Sequence, residues 1–307
     1  MRDLEKYKGV IPAFYACYDA EGRVSRERTK ALTRYFVEKG VKGVYVNGSS
    51  GECIYLGVEE RREILEAVME EAKGKLTVIC HVACNNTADS AALAAHAEAQ
   101  GVDAIAAIPP IYFHLPEHAI ADYWNAISAA APKTDFIIYN IPQLAGVSLT
   151  MPLFKKMRKN KNVIGVKNSS MPIQDIQMFK AEGGADCIIF NGPDEQFVGG
   201  LAIGAEGAIG GTYGVMPELY LQLERFVKEG KAAEARELQY ACNEIIYKMC
   251  SGHGGMYAVI KEILRINESL DIGSVRAPMP ALIDSDQAIA KEAAQMIADA
   301  KKKYVRG

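Results

Sequence analysis

The sequence predicts a TIM (β/α)8 barrel over residues 1–215, followed by a C-terminal helical extension over residues 216–307 that packs on the barrel. Three observations carry that expectation. Eight short, nearly continuous apolar runs punctuate the chain, the pattern of parallel strands covered on both faces. Helical patterns alternate with the early runs, each closing on a glycine just ahead of the next strand. The repeat is about 30 residues, the length of one strand-helix unit, and eight such units close into a barrel more naturally than into an open doubly wound sheet.

VIPAFYA (10–16) is the first strand. Ser25 then caps a helix with Ala31, Leu32, Tyr35 and Phe36 on one face, ending at Gly40, where a left-handed terminal residue costs glycine nothing. GVYVNG (43–48) is the second strand, and Ile64, Leu65, Val68, Met69 and Ala72 make the apolar stripe of the next helix before Gly74. After the third strand, LTVICHVA (76–83), Thr87 is expected to cap an alanine-rich helix that runs to Gly101. VDAIAAIPP (102–110), FIIYNIP (136–142), VIGVKNS (163–169), CIIFNGP (187–193) and GAIGGT (207–212) complete the set. No GxGxxG follows the first strand, which disfavours a dinucleotide fold; the glycines from Gly204 to Gly211 are read as close packing at the eighth strand. Beyond it, Leu219, Leu221, Leu223, Phe226 and Val227, then Ile245, Ile246, Val259, Ile260, Ile263 and Leu264, pattern as amphipathic helices.

Composition narrows the class of function. With 307 residues, 49% of them hydrophobic, the chain can bury one large core. Its 35 basic and 38 acidic residues nearly cancel, and no basic run exceeds the tail Lys301–Lys303, so neither nucleic acid nor an anionic membrane is an expected partner. A charged amino terminus without an apolar core, and no stretch near the roughly 20 apolar residues of a membrane span, point to the cytoplasm. Seven scattered cysteines lack metal spacing and are expected to be free thiols. His114 and His118 are four apart, but Pro116 between them marks a solvated helix start, and His81 and His253 have no ligand partners at useful spacing. Neither a metal nor a diffusible cofactor is expected.

Barrel logic places chemistry at the carboxy-terminal ends of the strands. Four ends are rich in functional side chains: Gly48-Ser49-Ser50-Gly51-Glu52, Pro109-Pro110-Ile111-Tyr112, Tyr139-Asn140-Ile141-Pro142 and Lys167-Asn168-Ser169-Ser170. Val163 to Val166 deliver the Lys167 amine on an apolar strand, where burial disfavours the ammonium, and a neutral amine is what attack on a ketone requires. Tyr139, on the adjacent strand, suits proton transfer to and from an adduct on Lys167, and a hydroxyl such as Ser50 can extend the relay. The turn from Gly48 to Gly51 offers backbone N–H groups and two hydroxyls as a cradle for a carboxylate.

These motifs resemble the dihydrodipicolinate synthase and N-acetylneuraminate lyase superfamily of class I, pyruvate-dependent aldolases. The resemblance spans nearly the whole chain and rests on Gly48-Ser49-Ser50-Gly51-Glu52, Tyr139-Asn140-Ile141-Pro142 and Gly165-Val166-Lys167 in order and spacing. It implies Lys167 as the Schiff-base lysine, Tyr139 as the proton shuttle, and Ser49 and Ser50 as holders of the pyruvate carboxylate. It also implies Tyr112 as a relay tyrosine given to a neighbouring subunit, in a homotetramer built as a dimer of dimers. Gln143-Leu144-Ala145-Gly146 lacks the arginine usual in dihydrodipicolinate synthases. The segments from Tyr139 to Thr150 and from Asn191 to Glu195 are similar instead to the neuraminate lyases, which implies that Gly192, Asp194 and Glu195 bind a polyhydroxylated chain. Gly211 stands where some of those enzymes have a serine, Tyr257 where a phenylalanine is familiar, and Ser169 where threonine is common; all three are carried as substrate-binding positions. The implied reaction is reversible cleavage of N-acetylneuraminate (sialic acid) to N-acetylmannosamine and pyruvate. The alternatives are a 2-keto-3-deoxy sugar acid aldolase, a 4-hydroxy-tetrahydrodipicolinate synthase, or a non-catalytic 2-oxo acid sensor.

Overall fold

Each strand carries two apolar faces, and the fold gives each face its own core. The computed structural model describes residues 3–305, so the outermost residues of the two predicted segments, 1–2 and 306–307, lie outside the described residues. The strands are β1 (Val10–Pro12), β2 (Gly43–Val46), β3 (Thr77–His81), β4 (Ala104–Ala107), β5 (Asp135–Asn140), β6 (Val163–Asn168), β7 (Ile188–Asn191) and β8 (Gly207–Gly210). All pair in parallel in the order β1-β8-β7-β6-β5-β4-β3-β2. A bridge between Ala13 and Tyr45 closes the ring, with Phe14 N donating to Tyr45 O at 2.9 Å. This is the predicted (β/α)8 barrel. Alternation does the sorting: Ile11, Tyr45, Ile79, Ile137, Ile188 and Ile209 pack together inside the ring, while Val44, Val46, Val78, Ile138 and Ile189 face the helices.

One irregularity decides where the site forms. Phe136 pairs with Val163 but Ile137 pairs with Gly165, so β6 carries one extra residue. Without that slip Tyr139 would face Val166, and Lys167 would stand beside Asn140 on the outer face; with it, Lys167 is the register partner of Tyr139 and points inward. Glycine at 165 is required by this packing, since a β-carbon there would lie 1.9 Å from the Ile188 carbonyl oxygen. The opposite end of the ring is closed. Tyr7, from a 3-10 turn at Glu5–Tyr7, is fully buried in the interior core. Its hydroxyl donates to Asp103 O at 2.7 Å and lies 2.8 Å from Asp135 Oδ2, where β4 and β5 begin.

Around the barrel run α1 (Arg26–Glu38), α2 (Val58–Ala72), α3 (Thr87–Gln100), α4 (Glu117–Ala130), α5 (Pro142–Ala145), α6 (Met151–Met157), α7 (Gln174–Gly183) and α8 (Phe197–Ala202). Ser25 Oγ accepts from Arg28 N, the expected cap, and Gly40, Gly74 and Gly101 adopt the left-handed conformation expected of them. The third cap differs. Asn86, not Thr87, accepts from Asp89 N at 2.8 Å, because the carboxamide oxygen one position earlier reaches the third helical N–H and leaves Thr87 as the first helical residue. His114 and His118 are exposed beside the start of α4, with Pro116 preceding its first turn. Among the described residues no helix is long and apolar enough to cross a membrane.

The chain continues as α9 (Pro217–Lys228), α10 (Ala232–Cys250), α11 (Gly255–Glu268) and α12 (Asp284–Tyr304). On α9 the buried face is Leu219, Tyr220 and Leu223, so Tyr220 takes the place expected of Leu221, which is only half-buried. The spacing 219, 220, 223 follows the helical period, whereas 219, 221, 223 does not. The extension meets the barrel through a buried charge. Glu52, 1% exposed, accepts 2.8 Å from Lys261 Nζ on α11 and 2.9 Å from Arg276 N, with the Tyr18 hydroxyl at 3.2 Å. Lys261 is equally buried and also donates to Ser274 O at 2.8 Å. Removing one partner of such a pair strands the other without water. Lys261→Met is therefore expected to lower the unfolding free energy by about 3–5 kcal/mol, read from urea denaturation. The double variant Glu52→Gln/Lys261→Met is expected to lose less, because no charge is then left alone.

Candidate active site

The last side chains of a closed parallel barrel converge on one mouth. There Lys167 is 4% exposed, and its Nζ lies 3.9 Å from the centre of the Tyr139 ring and 4.2 Å from that of Tyr45. The two rings meet edge to face, with centroids 5.8 Å apart at 80°. The amine is thus held at the floor of the mouth by two aromatic walls. Tyr45 was not singled out in the sequence, where it reads as one more apolar strand residue. The usable signal is parity, since Tyr45 occupies the inward position between two outward valines. Burial pushes its phenol well above the ordinary tyrosine range.

Hydrogen bonds fix the backbone that carries these groups. Asn140 Nδ2 donates to Asn168 Oδ1 at 2.7 Å, Asn168 Nδ2 to Ser170 Oγ at 2.9 Å, and Ser170 Oγ to Asp175 Oδ2 at 2.6 Å. This chain ties the ends of β5 and β6 together on the face away from Lys167. Beside Tyr139, His81 is buried and held neutral, its protonation pushed far below the usual range by burial and by the Arg61 guanidinium. Its Nδ1 lies 3.0 Å from Asn47 O, and Ile108 N donates to its Nε2 at 3.4 Å. Both ring nitrogens are engaged with backbone, which agrees with a structural role. Arg61, also buried and not anticipated, donates to the carbonyls of His81 and Ala83 at 2.7 and 2.8 Å and pins the end of β3.

The serine turn follows β2 as a 3-10 turn at Ser49–Gly51. Ser50 Oγ lies 3.1 Å from the hydroxyl of Tyr257 on α11. The relay expected between Ser50 and Tyr139 is therefore different in this structure: the hydroxyl bonded to Ser50 comes from the extension. Across the mouth, a 3-10 turn at Asp194–Gln196 follows β7. Asp194 is buried, and Thr212 donates to its Oδ2 through both N and Oγ1 at 2.6 Å each. Burial pushes the Asp194 carboxyl up to about 6, while the two Thr212 hydrogen bonds pull it the other way. In the sequence Thr212 is only the last residue of the GAIGGT run (207–212). It is the residue that orients this carboxylate.

Ser49, Ser50, Tyr139, Lys167, Ser169, Gly192, Asp194, Glu195, Gly211 and Tyr257 all line one cavity of about 310 Å³, a volume suited to a small, partly extended ligand. Leu144, Ile141, Met171 and Ile246 supply its apolar wall. Glu195 sits at the rim, exposed. Tyr112 stands apart, 86% exposed, at a positive φ of 83° and stacked edge to face on Phe113. The arrangement joins a buried amine to a phenol, two hydroxyls, and, on the far side, a carboxylate that can accept from several donors. Such a set can form an imine with a ketone and move protons around it.

Comparison with known proteins gives the same family throughout. The model of the Dihydrodipicolinate synthetase family matches residues 6–297. An N-acetylneuraminate lyase of Mediterraneibacter gnavus is 74% identical over 305 residues, 99% of this chain and 97% of its own length. An N-acetylneuraminate lyase of Escherichia coli is 33% identical over 271 residues, 88% of this chain and 90% of its own length. Among solved structures, a catalytic lysine mutant of the Ruminococcus gnavus sialic acid aldolase superposes with a TM-score of 0.99 at 74% identity, covering 99% of this chain and 100% of that one. With this strand order, this cavity and a match that runs almost from end to end, the chain belongs to the dihydrodipicolinate synthetase family.

Proposed function

We propose that this protein is a Schiff-base aldolase that cleaves N-acetylneuraminate reversibly into N-acetylmannosamine and pyruvate. The observation that carries it is the buried Lys167 amine against the Tyr139 ring, in a cavity whose far side presents Asp194. The 74% identity to an N-acetylneuraminate lyase over 99% of the chain supports the choice of sugar. The Lys167 amine adds to the C2 ketone of the open-chain sugar acid, and water leaves to give an iminium. Tyr139, left as a phenolate by protonating the hydroxyl that departs as water, takes the proton of the C4 hydroxyl as C3–C4 breaks, and the electron pair of that bond moves into the iminium as an enamine. N-acetylmannosamine leaves as the aldehyde. Protonation at C3 and return of one water release pyruvate and the free amine. Ser49 and Ser50 hold the carboxylate beside C2, and Asp194 and Glu195 accept from the sugar hydroxyls. Ser169, Gly192, Gly211 and Tyr257 complete the binding surface.

We further infer a homotetramer in the cytoplasm in which Tyr112 reaches a neighbouring subunit. The support for the oligomer is an exposed apolar set on the loops that follow β2 and β4, Ile54, Tyr55, Tyr112 and Phe113 being 56, 41, 86 and 72% exposed.

Borohydride reduction with pyruvate is expected to leave one covalent pyruvyl adduct on Lys167, located by peptide mass analysis. Lys167→Ala should lose both the adduct and pyruvate release, whereas Tyr139→Phe should keep the adduct and lower kcat by about 10²–10⁴-fold. An adduct on any other residue sinks the mechanism. Purified protein should release pyruvate from N-acetylneuraminate and not from 2-keto-3-deoxygluconate, and it should not consume pyruvate with aspartate semialdehyde. Release from the second substrate alone would overturn the choice of sugar.

The pH dependence follows from Asp194. Its carboxyl is raised to about 6 from an ordinary carboxylate value near about 4. The stability this group contributes is full below the ordinary value and is lost as pH rises through about 6, because the folded state must then bury a charge. Sugar hydroxyls donate to the charged form. KM for the sugar acid is accordingly expected to fall as pH rises through about 6, and Asp194→Asn should raise KM and erase that limb. A limb unchanged in the variant would remove Asp194 from sugar binding.

A further inference from the structure

Three residues from remote parts of the chain compete for one small volume beside the serine turn. The Tyr257 hydroxyl lies 3.1 Å from Ser50 Oγ. Gly211, just past β8, faces both, and a β-carbon at that position would stand 3.1 Å from Ser50 Oγ, 3.4 Å from the Tyr257 hydroxyl and 3.7 Å from Tyr257 Cε1. The backbone has no freedom to retreat, because the Gly211 carbonyl accepts from the Tyr15 hydroxyl at 2.6 Å and Tyr15 is fully buried. The Tyr15 and Tyr257 rings in turn are neighbours, with centroids 6.5 Å apart. A β-carbon at 211 would thus be tight against Ser50 Oγ and in van der Waals contact with the Tyr257 hydroxyl, so an added hydroxyl on it would enter the space these two groups share.

The direction of the hydrogen bond follows from the chemistry of its ends. A phenol is the stronger acid of the two hydroxyls, and burial pushes that of Tyr257 further above its ordinary range, so it stays protonated. Ser50 has one proton and two lone pairs. With one lone pair filled by Tyr257, the serine proton is left to point elsewhere, and Ser50 lines the cavity that holds the Lys167 amine. We propose that Tyr257 is a positioning residue that aims the Ser50 proton at the carboxylate of the 2-oxo acid on Lys167, and that Gly211 and Tyr257 form one coupled unit in which a hydroxyl can be supplied from either position but not from both. This rests on the reading of the cavity as a 2-oxo acid site. A serine at 211 would set its own hydroxyl one bond beyond a β-carbon already 3.1 Å from Ser50 Oγ, and so could replace the phenol once the phenol is gone.

The test uses pyruvate alone, with the concentration giving half-maximal borohydride trapping at Lys167 as the readout. Tyr257→Phe should raise that concentration about three- to tenfold, the value of one hydrogen bond, with the plateau at saturating pyruvate unchanged. Gly211→Ser should also raise it, through crowding. The double variant Gly211→Ser/Tyr257→Phe should bind pyruvate more tightly than either single variant. In a Ser50→Ala background, Tyr257→Phe should add nothing, which a purely structural tyrosine would not obey. A full plateau in each variant reports an intact fold and an intact Lys167. A double variant as weak as either single one, or an effect of Tyr257→Phe that survives in Ser50→Ala, overturns the inference while the aldolase function stands. Absence of trapping in the wild-type protein overturns both.

Discussion

Glu52 is the point at which the barrel and its helical extension become one object. Its carboxylate is shut off from water and satisfied by Lys261, by the backbone N–H of Arg276 and by Tyr18, and its own backbone is left-handed at φ 54°. A non-glycine residue in that conformation is strained, and the surrounding donors are what hold it there. The consequence is local to the site. Ser50 lies two positions before Glu52, and Tyr257 lies one helical turn before Lys261, so a single face of α11 grips the serine turn twice, once through an ion pair and once through a hydroxyl. Such a buried pair adds little net stability compared with apolar packing, but it tolerates only one geometry.

The second constraint is parity. A strand whose side chains alternate can place a lysine inside a barrel only if its register says so, and in β6 that register is set by one inserted residue and by a glycine that allows β7 to approach. The floor of the mouth is then built from groups whose other edges are already committed: Tyr139 against Tyr45, His81 bonded to backbone at both nitrogens, and Arg61 holding the carbonyls of His81 and Ala83 at the end of β3. Side chains locked in this way lose little freedom when a ligand arrives, which is how a fold keeps reacting groups in place at small entropic cost.

Much of this was legible in one dimension because the causes are local. Periodicity located the strands, and a serine and three glycines located the helix ends at Ser25, Gly40, Gly74 and Gly101, since a cap needs only its own few residues. Asn86 and Thr87 could both cap, and only three-dimensional reach separates them. The strand ends that face the cavity were legible too, because a barrel turns position along a strand into position in space. What was missed depends on distant partners. Glu52 and Lys261 are 209 residues apart, Asp194 and Thr212 belong to different strand ends, and Ser50 meets a tyrosine 207 residues away rather than the one on the neighbouring motif. Gly211 and Tyr257 stood out in the sequence as separate departures from a family pattern; contact makes them one.

The closed lower end of the ring has a consequence for traffic. With Tyr7 sealing the side where β4 and β5 begin, the cavity is a blind alley whose innermost station is Lys167. Whatever is joined to that amine is the first to enter and the last to leave, and a partner molecule can only queue above it. On the proposed function, the 2-oxo acid joined to Lys167 would then have to arrive before the aldehyde in synthesis and leave after it in cleavage.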